Sequence, residues 1–406
     1  MTKQLLIEKL KSDSQQQKLD KNYASIIERF HDDGFFPESM TGTYPGMFPR
    51  TVGALAQLLT TTGELELLEK CISCCMKAME DFDLEYVPHV IGKDENSDYF
   101  IIDDLCQIDG QAHFILAWAL LAEARDVTEF ENQTYKFFSN LINRSISTIF
   151  LSKCSEWRCE PGVILNTHLE HSREWNMWNA YDFLSNSFIA AALEKMIDIA
   201  QRRQDNKNAV HWKTTLTFLL ENINKNMIFD HEGKSCYCEM LLPTGREPEI
   251  FPGLSWLNLA PIPSGWQSFN HKIFSNTVDL WHQKACIEWE GPSITACELD
   301  LNFKPENVIW NGPEYMSCEW SSNGHNNQTY GKMLGWDLLY CVQNKDYKRS
   351  ADILDFLEIV NTNELYSEIF TYKPSMKKWM LRDAGNGEQT AWLCWALFKS
   401  RKILGI

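Results

Sequence analysis

A chain of 406 residues is longer than a single hydrophobic core usually supports, so either several domains or one closed architecture must organise it. Its 44% hydrophobic and 23% charged residues lie in the globular range and exclude global disorder. A formal charge of −17 repels phosphate backbones and anionic lipid, which argues against nucleic acid and membrane surfaces as partners and favours a neutral or cationic ligand.

The N-terminus, Met1-Thr2-Lys3-Gln4-Leu5-Leu6-Ile7-Glu8-Lys9, turns charged before an apolar run reaches the length of a secretory core, so no export is expected. No stretch approaches the roughly 20 apolar residues that span a bilayer. The 13 cysteines are an odd number spread over a long chain, which suits a reducing compartment, free thiols and a cytoplasmic location. Residues 1–38 are expected as an N-terminal helical extension, with a helix around 15–31.

The run Thr51 to Leu59 stops at Gly63 and a second helix from Glu64 to about Phe82 returns, making a helical hairpin. Cys71, Cys74 and Cys75 lie inside the second helix with no further CxxC pair, so they read as buried apolar thiols and not as a zinc or redox site; Cys154/Cys159 and Cys236/Cys238 are weaker still. From Gly110 the segment Gln111 to Ala122 is apolar almost all round, and Phe130 to Leu151 follows as an amphipathic partner. That pairing predicts an inner and an outer helical layer. Further helices are expected over 183–203, 209–227, 271–286, 325–343, 346–360 and 387–403, close to the set that six hairpins need. The alternation around Ser235 to Leu241 could form a strand. The loops 154–180, 230–268 and 287–324 are long and rich in Trp, Pro and Gly, as cleft walls are. No linker divides the chain, so one domain over 1–406 is expected, an all-α (α/α)6 toroid with its long loops at one mouth.

Five constellations could carry chemistry. Tyr44-Pro45-Gly46-Met47-Phe48-Pro49-Arg50 is a rigid aromatic turn delivering an arginine to a helix start, either for a ligand or for a neighbouring acid. In Asp103-Asp104-Leu105-Cys106-Gln107-Ile108-Asp109-Gly110-Gln111-Ala112-His113, polar groups precede the apolar inner helix, and Asp109 could face the cleft or cap the helix. Glu174, between Arg173 and Trp175 and near Trp178, has the apolar walls that raise a carboxyl towards neutrality, while flat rings stack on sugar faces. Asp182 could share that role or be an N-cap. Trp310-Asn311-Gly312-Pro313-Glu314 forms the fourth group. The fifth pairs Glu368, which has no capping role to explain it, with Glu388, which sits in the first turn of a predicted helix.

The Phe-Pro-Arg turn, the Gln-x-Asp-Gly segment, the Trp-x-Gly-Pro loop and the Glu-x-Phe element before a final Trp-containing helix, in this order over residues 40–400, resemble the six-hairpin glycosidases. The nearest groups are the glucoamylase-like enzymes and the processing α-glucosidase and mannosylglycerate hydrolase type. The resemblance implies an inverting glycoside hydrolase acting on an α-glucoside or α-mannoside, with one acid protonating the leaving oxygen and a carboxylate activating water. Carried over, Glu174 takes the acid's place and Glu368 the base's, with Asp109, Asp182, Glu314 and Glu388 in reserve. Tyr44, Phe48, Arg50, Asp104, Gln111, His113, Trp175, Trp178, Trp310 and Gly312 would bind substrate. Two positions depart from the pattern: Arg50-Thr51 stands where many relatives have Arg-Asp, and Trp175-Asn176-Met177 stands where glucoamylases have an acidic doublet after a Trp.

Two other readings stay open. A sugar isomerase or epimerase on the same toroid would use histidines, for which His89, His113, His168, His171 and His325 are available. A non-catalytic carbohydrate-binding toroid would keep the aromatic cleft, gathering Trp175, Trp178, Trp266, Trp310 and Trp320, without opposed acids. With no Walker loop, dinucleotide fingerprint or HExxH segment, neither a cofactor nor a catalytic metal is expected.

Overall fold

The computed structural model describes residues 2–125, 127–147, 151, 161–169, 178–242, 248–251, 253–300 and 327–406. Its helices are α1 (Lys3–Leu10), α2 (Asp13–Ile27), α3 (Pro49–Thr62), α4 (Leu65–Asp81), α5 (Ile108–Ala124), α6 (Glu129–Ser145), α7 (Phe183–Arg202), α8 (Asn206–Asn226), α9 (Pro261–Ser264), α10 (His271–Lys284), α11 (Gly331–Gln343), α12 (Tyr347–Val360) and α13 (Gly387–Leu404). No helix among the described residues is long and apolar enough to cross a membrane.

Local chemistry sets the helix ends. Pro49 occupies the first turn of α3, where its missing N–H costs nothing, and Gly63 ends the helix at φ 90°, a conformation that a β-carbon disfavours. Asp182 caps α7 through the Ser185 amide at 2.6 Å, and Asn386 caps α13 through the Gln389 amide at 3.1 Å.

Helices alternate between two layers. The inner ring runs α3, α5, α7, α9, α11 and α13, and α13 packs back against α3 to close it. The outer layer is α2, α4, α6, α8, α10 and α12. The expected inner helix α5 is buried from Ile108 to Ala119. A helix apolar on every side can only be accommodated with neighbours all round it, and α3, α4, α6 and α7 provide them. Close approach needs small residues: a β-carbon on Gly335 of α11 would lie 3.0 Å from the Trp392 carbonyl oxygen of α13.

The fourth inner position differs from the rest. There a 3-10 turn, Trp256–Leu259, and the one-turn α9 replace a full helix, packed between α7 and α11. Asn258 donates to the Tyr237 and Cys238 carbonyls, and Gln57 of α3 donates across the ring to the Pro263 carbonyl at 2.9 Å. Pro261 and Pro263 explain why a long helix does not form here, since proline removes backbone donors.

Residues 3–27, expected as an extension, form α1 and α2, which pack on α12 and α13 and bury Leu6, Leu10, Leu19 and Ile26. The predicted helix 325–343 starts at Gly331, because Gln328–Tyr330 is a strand; 130–151 ends at Ser145. The alternating segment near 235–241 is in two strands, Lys234–Tyr237, paired with Ile228–His231, and Met240–Leu242, paired with Tyr181 and Asp182. Two antiparallel hairpins, Val90–Lys93 with Tyr99–Asp103 and Ser367–Lys373 with Lys378–Ala384, complete the mouth. The ten described cysteines are free thiols, with Cys71, Cys74, Cys75, Cys236 and Cys238 buried.

Candidate active site

The N-terminal ends of the inner helices meet at one mouth, where their partial positive charges favour carboxylates. Arg50, in the first turn of α3, donates to Asp109 of α5 at 2.5 Å and to Gln107 at 3.2 Å. The other Asp109 oxygen accepts from Asn166 at 3.1 Å, and Asn166 also reaches Ser185 of α7. Burial alone would raise the Asp109 pKa, but the Arg50 charge and the hydrogen bonds from Arg50 and Asn166 hold it below the usual aspartate range. Asp182 accepts from both the amide and the hydroxyl of Ser185; burial, then the neighbouring Asp109 charge, pushes its pKa up to about 6.

The opposite wall is built by α11, α13 and the hairpin 367–384. Lys332 of α11 places its Nζ 3.1 Å and 3.2 Å from the two Glu388 oxygens and 4.1 Å from the centre of the Trp256 ring. Its backbone N–H donates to the Gln389 side chain at 2.7 Å, which ties the starts of α11 and α13 together. Glu38 accepts from the Thr51 hydroxyl and from Asn386 at 3.1 Å; burial, then Glu388, raises its pKa. Glu368 lies on the strand that runs past the α11 start. The Tyr44 hydroxyl donates to its Oε1 at 3.4 Å, while its Oε2 is buried with no hydrogen-bond partner among the described residues. Burial, followed by the Asp383 charge, pushes the Glu368 pKa up to about 7.

Several of the residues singled out in the sequence come together here: Tyr44, Arg50, Asp109, Asp182, Glu368 and Glu388. Phe48 packs edge-on against Tyr44 and His89, whose centroids lie 6.0 Å and 5.3 Å away. His113 is packed against Gly53, where a β-carbon would fall 2.2 Å from its Nδ1, and against Phe188 at 3.8 Å; burial lowers its pKa to about 3, so it stays neutral.

Others stand elsewhere. Gln111 spends its amide on both backbone groups of Val87, fixing the loop before the first hairpin. Asp104 is exposed. Trp266, expected in the cleft, is buried against Phe183 and Phe269, because its ring fills the core beside α7. Glu174, Glu314, Trp175, Trp310, Gly312, Trp320, His171 and His325 lie outside the described residues, as do the side chains of His168 and Trp178.

Glu38, Asn166, Lys332 and Asp383 were not singled out. Lys332 had a signal, as the one charge in the otherwise apolar start Gly331-Lys332-Met333-Leu334-Gly335-Trp336. Glu38 had none, since its partners are Thr51, 13 positions on across the turn, and Asn386, 348 positions on.

No protein-family model and no curated protein matches the sequence. Solved structures do match the fold. A metal-independent α-mannosidase from Streptococcus pneumoniae, in complex with α-1,6-mannobiose, superposes with a TM-score of 0.69 at 11% identity, covering 100% of this chain and 97% of that one. A bacterial glucoamylase complexed with acarbose gives 0.63 at 12% identity over 94% of this chain, which spans only 55% of the glucoamylase. A mannosylglycerate hydrolase from Thermus thermophilus, in complex with Tris and D-glycerate, gives 0.54 at 14% identity over 93% and 99% of the two chains. The chain therefore has the six-hairpin toroid fold on which these carbohydrate-acting enzymes are built.

Proposed function

We propose that this protein is a glycoside hydrolase that cleaves an α-glucosidic or α-mannosidic bond with inversion. The observation that carries the reading is Glu368, a buried carboxyl at the mouth with one oxygen bonded to Tyr44 and the other without a protein partner among the described residues. Its pKa near 7 suits a general base that must take a proton from water at neutral pH and release it afterwards.

In this reading Glu368 removes a proton from a water that attacks the anomeric carbon. Glu174 gives a proton to the leaving oxygen on the other face, so the bond to the aglycone breaks as the bond to water forms. Inverting pairs stand about 6.5–9.5 Å apart, leaving room for that water. The other candidate carboxylates among the described residues are occupied: Asp109 by Arg50 and Asn166, Asp182 by Ser185, Glu388 by Lys332. Arg50, Tyr44 and Phe48 are assigned to holding the sugar, with Phe48 and Tyr44 offering ring faces.

The epimerase reading needs opposed histidines free to exchange protons. Of the five candidate histidines, the two whose side chains are described are already engaged, His89 by Asp103 at 2.8 Å and His113 with its Nδ1 packed against Gly53, so the described residues lend the epimerase reading no support. The test is incubation with α-glucosides and α-mannosides, as nitrophenyl glycosides and disaccharides, with the first-formed anomer followed by NMR. Release of the β-anomer supports the reading, whereas release of the α-anomer, or C2 epimerisation of free sugar without hydrolysis, contradicts it.

A further inference from the structure

The hairpin that carries Glu368 places a second carboxylate on the facing strand. The register pairs Ser367 with Ala384 and Ile369 with Arg382, and so brackets Glu368 and Asp383 on the two strands, near enough for the Asp383 charge to act on Glu368. Like charges at opposed positions are unfavourable, so a sheet does not place them there without compensation. The compensation is specific. Asp383 Oδ1 accepts from the Ser39 hydroxyl at 2.7 Å and the Thr41 hydroxyl at 2.5 Å, and Oδ2 accepts from Asn386 at 3.1 Å. All three donors come from outside the hairpin strands. The Asp383 backbone also adopts φ 47°, a left-handed conformation that is unfavourable for a non-glycine residue. Strain, a like charge and three dedicated donors converge on one side chain.

We propose that Asp383 is a positioning residue that holds a fixed negative charge across the strand from Glu368 and thereby sets the pH at which that carboxyl gains its proton. This rests on Glu368 being the general base proposed above. Other charges also face Glu368: Arg382 from the same hairpin, Lys332 from α11, Glu388 from α13 and Glu38 from the loop before α3, with the Tyr44 hydroxyl bonded to it. Arg29, at the end of α2, faces Asp383 and Glu38 and donates to the Glu38 carbonyl at 2.8 Å. Among these groups Asp383 is the strongest charge acting on Glu368 and raises its pKa, while Lys332 opposes it. Burial is the larger cause of the raised Glu368 pKa and the Asp383 charge adds to it, so that together they bring Glu368 to where it accepts and releases a proton near pH 7.

The experiment is the titration of Glu368 in full-length protein carrying carbon-13 in its glutamate carboxyls, assigned by loss of its signal in Glu368→Gln. Asp383→Asn keeps a residue that tolerates positive φ and removes the charge; Asp383→Gly removes both charge and backbone strain. In both variants the Glu368 midpoint is expected to fall by about one pH unit, the size a nearby charge typically produces. The acidic limb of kcat/KM should fall with it, and Asp383→Glu should restore both towards wild type. A midpoint that is unchanged or rises in folded Asp383→Asn and Asp383→Gly overturns the proposal. Because the titration needs no substrate, a falling midpoint in a protein without glycosidase activity would uphold the coupling of Asp383 to Glu368 while refuting the proposed function on which its catalytic meaning rests.

Discussion

On the wall built by α3, α5 and α7, each carboxylate is closed off by dedicated partners: Asp109 by Arg50 and Asn166, Asp182 by the amide and hydroxyl of Ser185. On the wall built by α11, α13 and the hairpin, Glu368 keeps one oxygen without a protein partner among the described residues, and its nearest charges disagree in sign. Both walls lie at helix N-termini, so the macrodipole does not separate them. What separates them is satisfaction. A saturated network fixes the shape of the site, and an unsaturated carboxyl raised towards neutrality is free to exchange protons.

If the first wall is structural, breaking it should cost stability before it costs chemistry. Asp109→Ala leaves the Arg50 charge without its buried partner and should lower stability by about 3 kcal/mol, read as a shifted urea midpoint. The pH dependence has a definite sign. The folded Asp109 pKa lies below its unfolded value, so its contribution is present above about pH 4 and is lost as pH falls through the folded value. Wild type should therefore lose stability on acidification through that window more steeply than Asp109→Ala.

If the second wall is electrostatic, removing its cation should act oppositely to removing Asp383. Lys332 lowers the Glu368 pKa, so Lys332→Met should move the acidic limb of kcat/KM to higher pH. A limb that stays put, with the protein folded, would deny the coupling. The smallest effect is expected at Asp182. As an N-cap, its replacement by Ala should cost about 1 kcal/mol of stability and by Asn almost nothing, since both amide and carboxylate oxygens cap well. Calorimetry on both variants distinguishes capping from catalysis, because a catalytic Asp182 would lose activity in Asp182→Asn while staying stable.

The ring was legible because its signals are local. The all-round apolar run of α5, Pro49 before α3 and Gly63 after it can each be read within a few residues. The interrupted fourth inner position was not anticipated, although Pro261 and Pro263 lie in the sequence, because a toroid suggests regular repeats. Half the mouth could be read the same way: Arg50, Asp109 and Glu368 stand at predicted helix starts or lack a capping role. The rest depends on register and long-range bonding. Asp383 stands across from Glu368 only because the hairpin turns at Pro374–Met376, and its donors Ser39 and Thr41 are more than 300 positions away. Composition and periodicity carry no trace of such pairs.

The central claim is that Glu368 is the general base of an inverting hydrolysis. Its most direct test is Glu368→Gln, which keeps the side chain's size and removes its proton chemistry, compared with wild type on whichever α-glycoside is cleaved. A loss of turnover of about 10² or more with an unchanged urea midpoint is the predicted result; near-normal turnover in the folded variant would contradict the account.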